Sequence, residues 1–447
     1  MPIFVIGCGL AIILGFLWLN LLRCFAKCMV WTTVFLVGLC FAILVFYTGR
    51  RGGFITAADA TVVSGTVADD VTTAGSDIEM WKTFFYVSAA FAIIYLLVIV
   101  SMWKKINIAA AIIQEENGQI KILSNIVSSQ FDIHKEFGGV VPELAARAHV
   151  EKIDLIAEKA ISESKINLSD IDAVATTAGP GLIVCLTVGL NFGKTIAASL
   201  DKPFIAVNHL EGHAISPMLN TDLKFPYLLL LISGGHTQYL SVEDLGKYKR
   251  LGTTIDDALG EAYDKTAKII GIEFPGGPKI EKYAEKGDKN KFELPKPILN
   301  KGGCNVSFAG LKTAILRVQS KIKTEQDKFD LAASFQKTIE EILVEKTKKA
   351  FEIYLSENKN LRKTFVVAGG VAANKGIKEK LLEVCEKNKF ECLFPDISLC
   401  SDNAAMIALV GLEKYKKKIF NKLNYNVNPR WQLDETAKFL KGAGVKI

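Results

Sequence analysis

Two patterns of hydrophobic and polar positions divide the chain. Before about residue 103, apolar residues run almost without interruption in three blocks, near residues 3–22, 28–47 and 83–102. Each is close to the roughly twenty residues that a helix needs to cross a hydrocarbon layer. Three such blocks, with no cleavage-like site after the first, argue against a signal peptide. Beyond residue 103 the apolar runs shorten, become rich in β-branched residues and alternate with helical periods. Strands are expected at residues 106–114, 121–128, 173–177, 204–207, 227–232, 238–242 and 364–368. Helices are expected at 141–164, 182–200, 256–270, 328–355, 375–389 and 402–418. The alternation predicts an α/β architecture over 104–447, preceded by a membrane region of about three transmembrane helices over 1–103.

Charge refines this division. The 447-residue chain has a net charge of +7. Residues 1–103 contain as many acidic as basic residues, so the excess belongs to the part beyond. A mild basic excess is compatible with an RNA partner and is equally common on solvated surfaces. Arg23 and Lys27 follow the first apolar block, and Lys104 and Lys105 follow the third. Arg50, Arg51 and Lys82 in the remaining loop are offset by Asp59, Asp69, Asp70, Asp77 and Glu79. The bias predicts a multi-pass membrane protein with its C-terminal part on the cytoplasmic or organelle-interior side. Cys185, Cys304, Cys385, Cys392 and Cys400 show no CxxC spacing, which argues against a zinc–cysteine site or a disulfide framework and fits a reducing compartment.

The chemistry concentrates in a few short segments. Asn208-His209-Leu210-Glu211-Gly212-His213 places two imidazoles at i and i+4, on one face of a helix and close enough to share a metal ion. Asp402, in Ser401-Asp402-Asn403, is a candidate third ligand. Between them, Leu231-Ile232-Ser233-Gly234-Gly235-His236-Thr237 reads as a strand opening into a small-residue turn, the usual build of an anion-binding loop. Glycine turns also follow strands at Gly179-Pro180-Gly181 and Gly369-Gly370. Any one of these is commonly an ordinary helix pair or tight connection. Yet three of the chain's five histidines fall in the two motifs. Together they point to an enzyme that handles a nucleotide with a metal.

From about residue 111 onward the chain resembles the tRNA threonylcarbamoyladenosine transferase family (TsaD, formerly described as an O-sialoglycoprotein endopeptidase). The resemblance rests on the run from His134 to His149 containing Phe137-Gly138-Gly139-Val140-Val141-Pro142-Glu143, and on the histidine and SGGHT motifs. It rests further on Asp256-Asp257-Ala258-Leu259-Gly260-Glu261-Ala262-Tyr263-Asp264-Lys265, Pro275-Gly276-Gly277-Pro278 and Phe308-Ala309-Gly310-Leu311-Lys312-Thr313. Gly369-Gly370-Val371-Ala372-Ala373-Asn374 and Pro429-Arg430-Trp431 complete it. The resemblance implies a two-lobed actin/Hsp70/sugar-kinase-like (ASKHA) fold. Lobe I would span about 106–225 plus the C-terminal segment, and lobe II about 226–400. It implies transfer of a threonylcarbamoyl group from threonylcarbamoyl-AMP to N6 of the adenosine 3′ of a tRNA anticodon. Implied metal ligands are His209, His213 and Asp402, holding one divalent ion, iron or zinc. Implied ligands of threonylcarbamoyl-AMP, or of ATP or AMP, are Leu231, Ile232, Ser233, Gly234, Gly235, Asp264, Gly277, Glu281 and Asn374. Implied partners are tRNA and either a paralogous subunit with an ATPase or a second copy; the apolar blocks add the lipid bilayer.

The resemblance stops short of the family's usual start. The family opens on a strand close to Leu-Gly-Ile-Glu-Thr-Ser-Cys-Asp, where this chain has Ser101-Met102-Trp103-Lys104-Lys105-Ile106-Asn107-Ile108-Ala109. The expected fold therefore lacks its first phosphate hairpin. Residues 1–110 bear a weaker resemblance to a fragment of choline-transporter-like membrane proteins, and residues 108–115 fit both families. Two further readings follow: a catalytically impaired nucleotide-binding scaffold that pairs with an intact homologue, or a chimeric gene product. If the join is an artefact, the enzyme is a soluble cytoplasmic or mitochondrial one. A metalloprotease is a weaker reading, because HLEGH does not place its glutamate directly after the first histidine as HExxH does.

Overall fold

The computed structural model describes residues 107–130, 141–273, 275–357 and 362–438. The three expected membrane spans, and His134, lie outside the described residues. Among the described residues no helix is long and apolar enough to cross a membrane.

The first described elements form a hairpin. β1 (Asn107–Glu116) pairs antiparallel with β2 (Gln119–Ser129). Asn117 and Gly118 connect them, both at positive φ, as a two-residue hairpin turn requires. Helix α1 (Pro142–Ser164) leads to β3 (Val174–Gly179), and α2 (Ile183–Ser199) carries the chain to β4 (Phe204–Asn208), which lies parallel to β3. Gly193 lets α2 sit on β3, since a Cβ there would come within 2.0 Å of Thr176 Cγ2. The segment after residue 418 returns to this half: the Asn421 amide donates to the Phe204 carbonyl at 2.8 Å, and Asn428 to Ala178 at 2.7 Å.

Among the described residues these four strands form two separate pairs, not one sheet. One cavity is lined by residues 107–115 of β1 and by residues 173–177 along β3.

The other half is one mixed sheet in the order β7-β6-β5-β8-β9. Its members are β5 (Tyr227–Ile232), β6 (Thr237–Asp244), β7 (Lys247–Thr253), β8 (Thr364–Ala368) and β9 (Glu391–Leu393). β5 runs antiparallel to β6 and parallel to β8. Its six side chains are all fully buried, which explains a run of apolar residues without alternation. Leu228, Leu230 and Ile232 enter the core beneath α4 (Leu259–Ile269), α5 (Gly276–Ala284), α6 (Ala309–Val318), α7 (Glu325–Glu357) and α8 (Lys375–Asn388). Tyr227, Leu229 and Leu231 enter a second core with α3 (His209–Ile215) and α10 (Ala405–Lys416). The short α9 (Ile397–Cys400) precedes α10. Each apolar β5 side chain contributes about 2 kcal/mol by burial, so this strand ties the two cores together.

Two expected helices start later than the pattern implied, one because of a distant contact and one because of a local cap. The helix expected from residue 256 begins at Leu259 because the Asp256 carboxylate accepts the Phe308 and Ala309 amides at 2.8 and 3.3 Å, capping α6 instead. The helix expected from residue 402 begins at Ala405, with Asn403 Oδ1 accepting the Met406 amide at 3.0 Å. Helices α5 and α6 and strands β7 and β9 were not expected; each is short.

Gly369, after β8, has φ +98, and a Cβ there would lie 2.4 Å from the Ile232 carbonyl oxygen. Gly369→Ala is expected to lower the unfolding free energy by about 2–3 kcal/mol, from positive φ and the contact together. Denaturant titration reads this as a lower midpoint at unchanged slope; an unchanged midpoint contradicts it.

Candidate functional site

The chain leaves β4 and turns directly into α3. Asn208 makes this possible: its side-chain oxygen accepts the Leu210 amide at 2.9 Å, and its amide group donates to the Trp431 carbonyl at 3.3 Å. The cap starts the helix at His209, so His209 and His213 share one face. Their ring centroids lie 4.8 Å apart at 84°.

Asp402 reaches that face from the loop before α10. The Nε2 atoms of His209 and His213 lie 3.3 and 3.1 Å from the same oxygen, Asp402 Oδ1. The three ligand atoms fall within 4.8 Å of one another. Bonds of 2.0–2.2 Å in a tetrahedral site put ligand atoms about 3.4 Å apart, which the two histidine–aspartate spacings match. Among the described residues no further histidine, cysteine or acid joins the three.

The electrostatics suit a cation. Burial works against the Asp402 carboxylate, yet the adjoining histidines outweigh it and hold the carboxyl well below its usual range. Burial alone would lower His209, but the Asp402 charge raises it; at His213 burial dominates and favours the neutral ring. The Nε2 atom of His213 is the one that faces Asp402, at 3.1 Å, while its Nδ1 is buried with no hydrogen-bond partner among the described residues.

The cavity that runs along β1 and β3, about 1620 Å³ in all, reaches this cluster. His209, Asp402, Ser233, Gly234, Gly235, Asp264, Gly277, Glu281 and Asn374 all line it. Leu231 and Ile232 do not; their side chains are wholly buried in β5, and they deliver the turn. Within that turn Ser233 Oγ accepts the Gly235 and His236 amides at 3.3 and 3.1 Å, so its own serine organises the loop. Gly260 allows α4 to approach, since a Cβ there would lie 2.8 Å from Gly234 Cα.

The acidic and amide residues are already engaged in shaping the cavity. Asp264 accepts the Gly276 amide at 2.8 Å, and Glu281 accepts the Lys375 amide at 2.5 Å. Asn374 caps α8 by accepting the Ile377 amide at 2.9 Å and exchanges two hydrogen bonds with Gln336, at 2.9 and 3.3 Å. Gln336 in turn accepts from the Tyr263 hydroxyl at 2.7 Å. Sequence reasoning missed Gln336; a buried polar residue in the apolar stretch of a long helix was the available signal.

The fold is thus a mixed α/β one with two histidines and an aspartate clustered at the rim of a glycine-turn cavity. Its family follows from comparison with known proteins. The family model for tRNA N6-adenosine threonylcarbamoyltransferase (TsaD) matches residues 121–409. A protein of that name from Pelagibacter ubique (strain HTCC1062) is 68% identical over 340 residues, covering 76% of this chain and 95% of its own. Those of Ruegeria sp. (strain TM1040) and Rickettsia massiliae (strain Mtu5) are 47% and 49% identical, covering 76% and 73% of this chain and 94% and 95% of their own. Among solved structures, full-length HypF in its phosphate- and nucleotide-bound form aligns at TM-score 0.47 and 15% identity, over 72% of this chain and 48% of that one. The chain belongs to the tRNA N6-adenosine threonylcarbamoyltransferase family.

Asp402→Asn keeps the side chain's shape and removes its charge. It is expected to weaken Zn²⁺ binding at least tenfold in competition with a chromogenic chelator, with the far-ultraviolet spectrum unchanged. Equal affinity in the two proteins would separate Asp402 from the metal.

Proposed function

We propose that the chain transfers the threonylcarbamoyl group of threonylcarbamoyl-AMP to N6 of the adenosine 3′ of a tRNA anticodon. The observation that carries this reading is that His209 and Asp402, clustered with His213, line one cavity with Ser233, Gly234, Gly235, Asp264, Gly277, Glu281 and Asn374. In the reaction the adenosine N6 attacks the carbamoyl carbon, the bond from that carbon to the AMP phosphate oxygen breaks, and N6 loses a proton as AMP departs. A divalent ion, iron or zinc, would supply Lewis-acid polarisation and a template for substrate oxygens when bound. His209, His213 and Asp402 would hold it. The turn at residues 233–235 presents backbone without bulk, so phosphate can come close. Asp264 and Glu281 suit ribose hydroxyls as acceptors.

The wider reading follows the family. Lobes of an ASKHA fold would close on the nucleotide, here ATP, AMP or threonylcarbamoyl-AMP. Partners would be tRNA and either a paralogous subunit with an ATPase or a second copy of the chain. The apolar blocks before residue 103 support a membrane-tethered form with the transferase part on the cytoplasmic or organelle-interior side. A metalloprotease is disfavoured by Glu211. Its carboxylate is buried against Lys414 and Tyr248, on the helix face away from the histidines, where it cannot serve as a base at the metal.

The test supplies purified full-length chain with threonylcarbamoyl-AMP and unmodified tRNA, and reads modified nucleoside by mass spectrometry. Modified adenosine is expected with the wild type, and a loss of at least a hundredfold with Asp402→Asn. Nucleotide binding without any modified adenosine would instead favour the scaffold reading.

A further inference from the structure

Glu211 lies between the two histidines of α3 and takes no part in the proposed chemistry. It is 3% exposed, and its carboxylate is fully engaged. Oε2 pairs with Lys414 Nζ at 2.9 Å. Oε1 accepts the Gly246 amide at 3.1 Å and the Tyr248 hydroxyl at 3.0 Å. Lys414 also donates to the Ala206 carbonyl at 3.3 Å, and its ammonium lies 5.9 Å from the centroid of the Trp431 ring. One carboxylate thus ties α3 to α10, to β7 and to the turn before it, and through Lys414 to β4.

Geometry gives this network a direction. Glu211 is two residues from each histidine, and two residues on an α-helix turn through about 200°. The carboxylate and the imidazoles therefore leave α3 on opposite sides. The helix has only seven residues, too few to hold its own conformation or its rotation about its axis. A rotation of about 20° would swing side-chain atoms near the helix surface by about 2 Å. That shift is as long as a metal–ligand bond and well beyond the tolerance of about 0.2 Å for a good site.

We propose that Glu211 is a positioning residue: clamped by Lys414, Tyr248 and the Gly246 amide, it sets the rotation of α3 and so aims His209 and His213 at the point Asp402 reaches. The inference rests on the reading of His209, His213 and Asp402 as metal ligands. It assigns Glu211 to holding the ligands, with no contact to substrate.

The experiment measures Zn²⁺ affinity, unfolding midpoint and the visible spectrum of the Co²⁺-loaded full chain, for wild type and variants. Glu211→Gln is expected to raise the Zn²⁺ dissociation constant at least tenfold. The double variant Glu211→Met with Lys414→Met replaces the buried pair by apolar side chains of similar volume, an exchange that is often neutral in stability. Its midpoint is expected to return close to wild type while its Zn²⁺ affinity stays at least tenfold weaker and its Co²⁺ band changes intensity. Recovery of affinity together with the midpoint would overturn the proposal, because the pair would then serve stability alone. Affinity within twofold of wild type in Glu211→Gln would overturn it as well. If the double variant does not fold, Tyr248→Phe decides: a severalfold weaker affinity supports the clamp, and an unchanged one overturns it. Asp402→Asn separates the two claims. If it too leaves Zn²⁺ affinity unchanged, the metal reading fails; if only it weakens binding, the clamp alone fails.

Discussion

The chemistry of this chain depends on how closely α3 lies against α10. Gly212 marks the contact: a Cβ there would come within 3.0 Å of Ile407 Cδ1 and 3.1 Å of Met406 Cγ, both on α10. A larger residue would push the helices apart by a fraction of an ångström. The aspartate that meets the histidines stands at the foot of α10, so any such displacement passes directly into the ligand distances. The apolar contact sets the spacing of the two helices. The polar contacts of Glu211 with Lys414 and Tyr248 oppose rotation of one against the other. Dispersion forces are not directional and could not do the second task.

The rest of the cavity is assembled on the same plan. Functional segments follow the ends of strands: Asn208 and His209 follow β4, the turn at residues 233–235 follows β5, and the glycines before Asn374 follow β8. Strands buried on both faces hold these ends rigidly. The polar residues at the rim then cap one another's elements, as Asp264 does for α5 and Asn374 for α8. Each such bond is worth only about 1 kcal/mol to stability, but together they fix the shape that a nucleotide would meet.

The N-terminal half is built differently from the mixed sheet. β3 and β4 form one pair and β1 and β2 another, with the cavity wall running along β1 and along β3. An edge strand leaves half its backbone groups without a ladder partner, which makes both edges places where pairing is incomplete among the described residues. The histidine–aspartate cluster stands between the two pairs: α3 and α10 share a core with β4, β5 and β8, and α10 is also held to the hairpin by Lys416 with Glu115 at 2.8 Å and by the Ala405 amide with Asn125 Oδ1 at 3.4 Å.

Much of the architecture was legible in the residues themselves. Continuous apolar runs identified β4, β5 and β8, because strands buried on both faces need no polar positions. The i, i+4 histidines identified one face of a helix, and glycine turns after strands marked the cavity, because both depend only on local geometry. What the sequence alone could not decide was every role set by a distant partner. Asp256 shortens one helix by capping another, Gln336 is bound into the rim by Asn374 and Tyr263, and Glu211 faces Lys414 rather than the Asp402 cluster. A carboxylate in a helix reads the same whether it meets water, a cation or a substrate. Only the tertiary fold, by choosing which face is buried and against what, separates those cases.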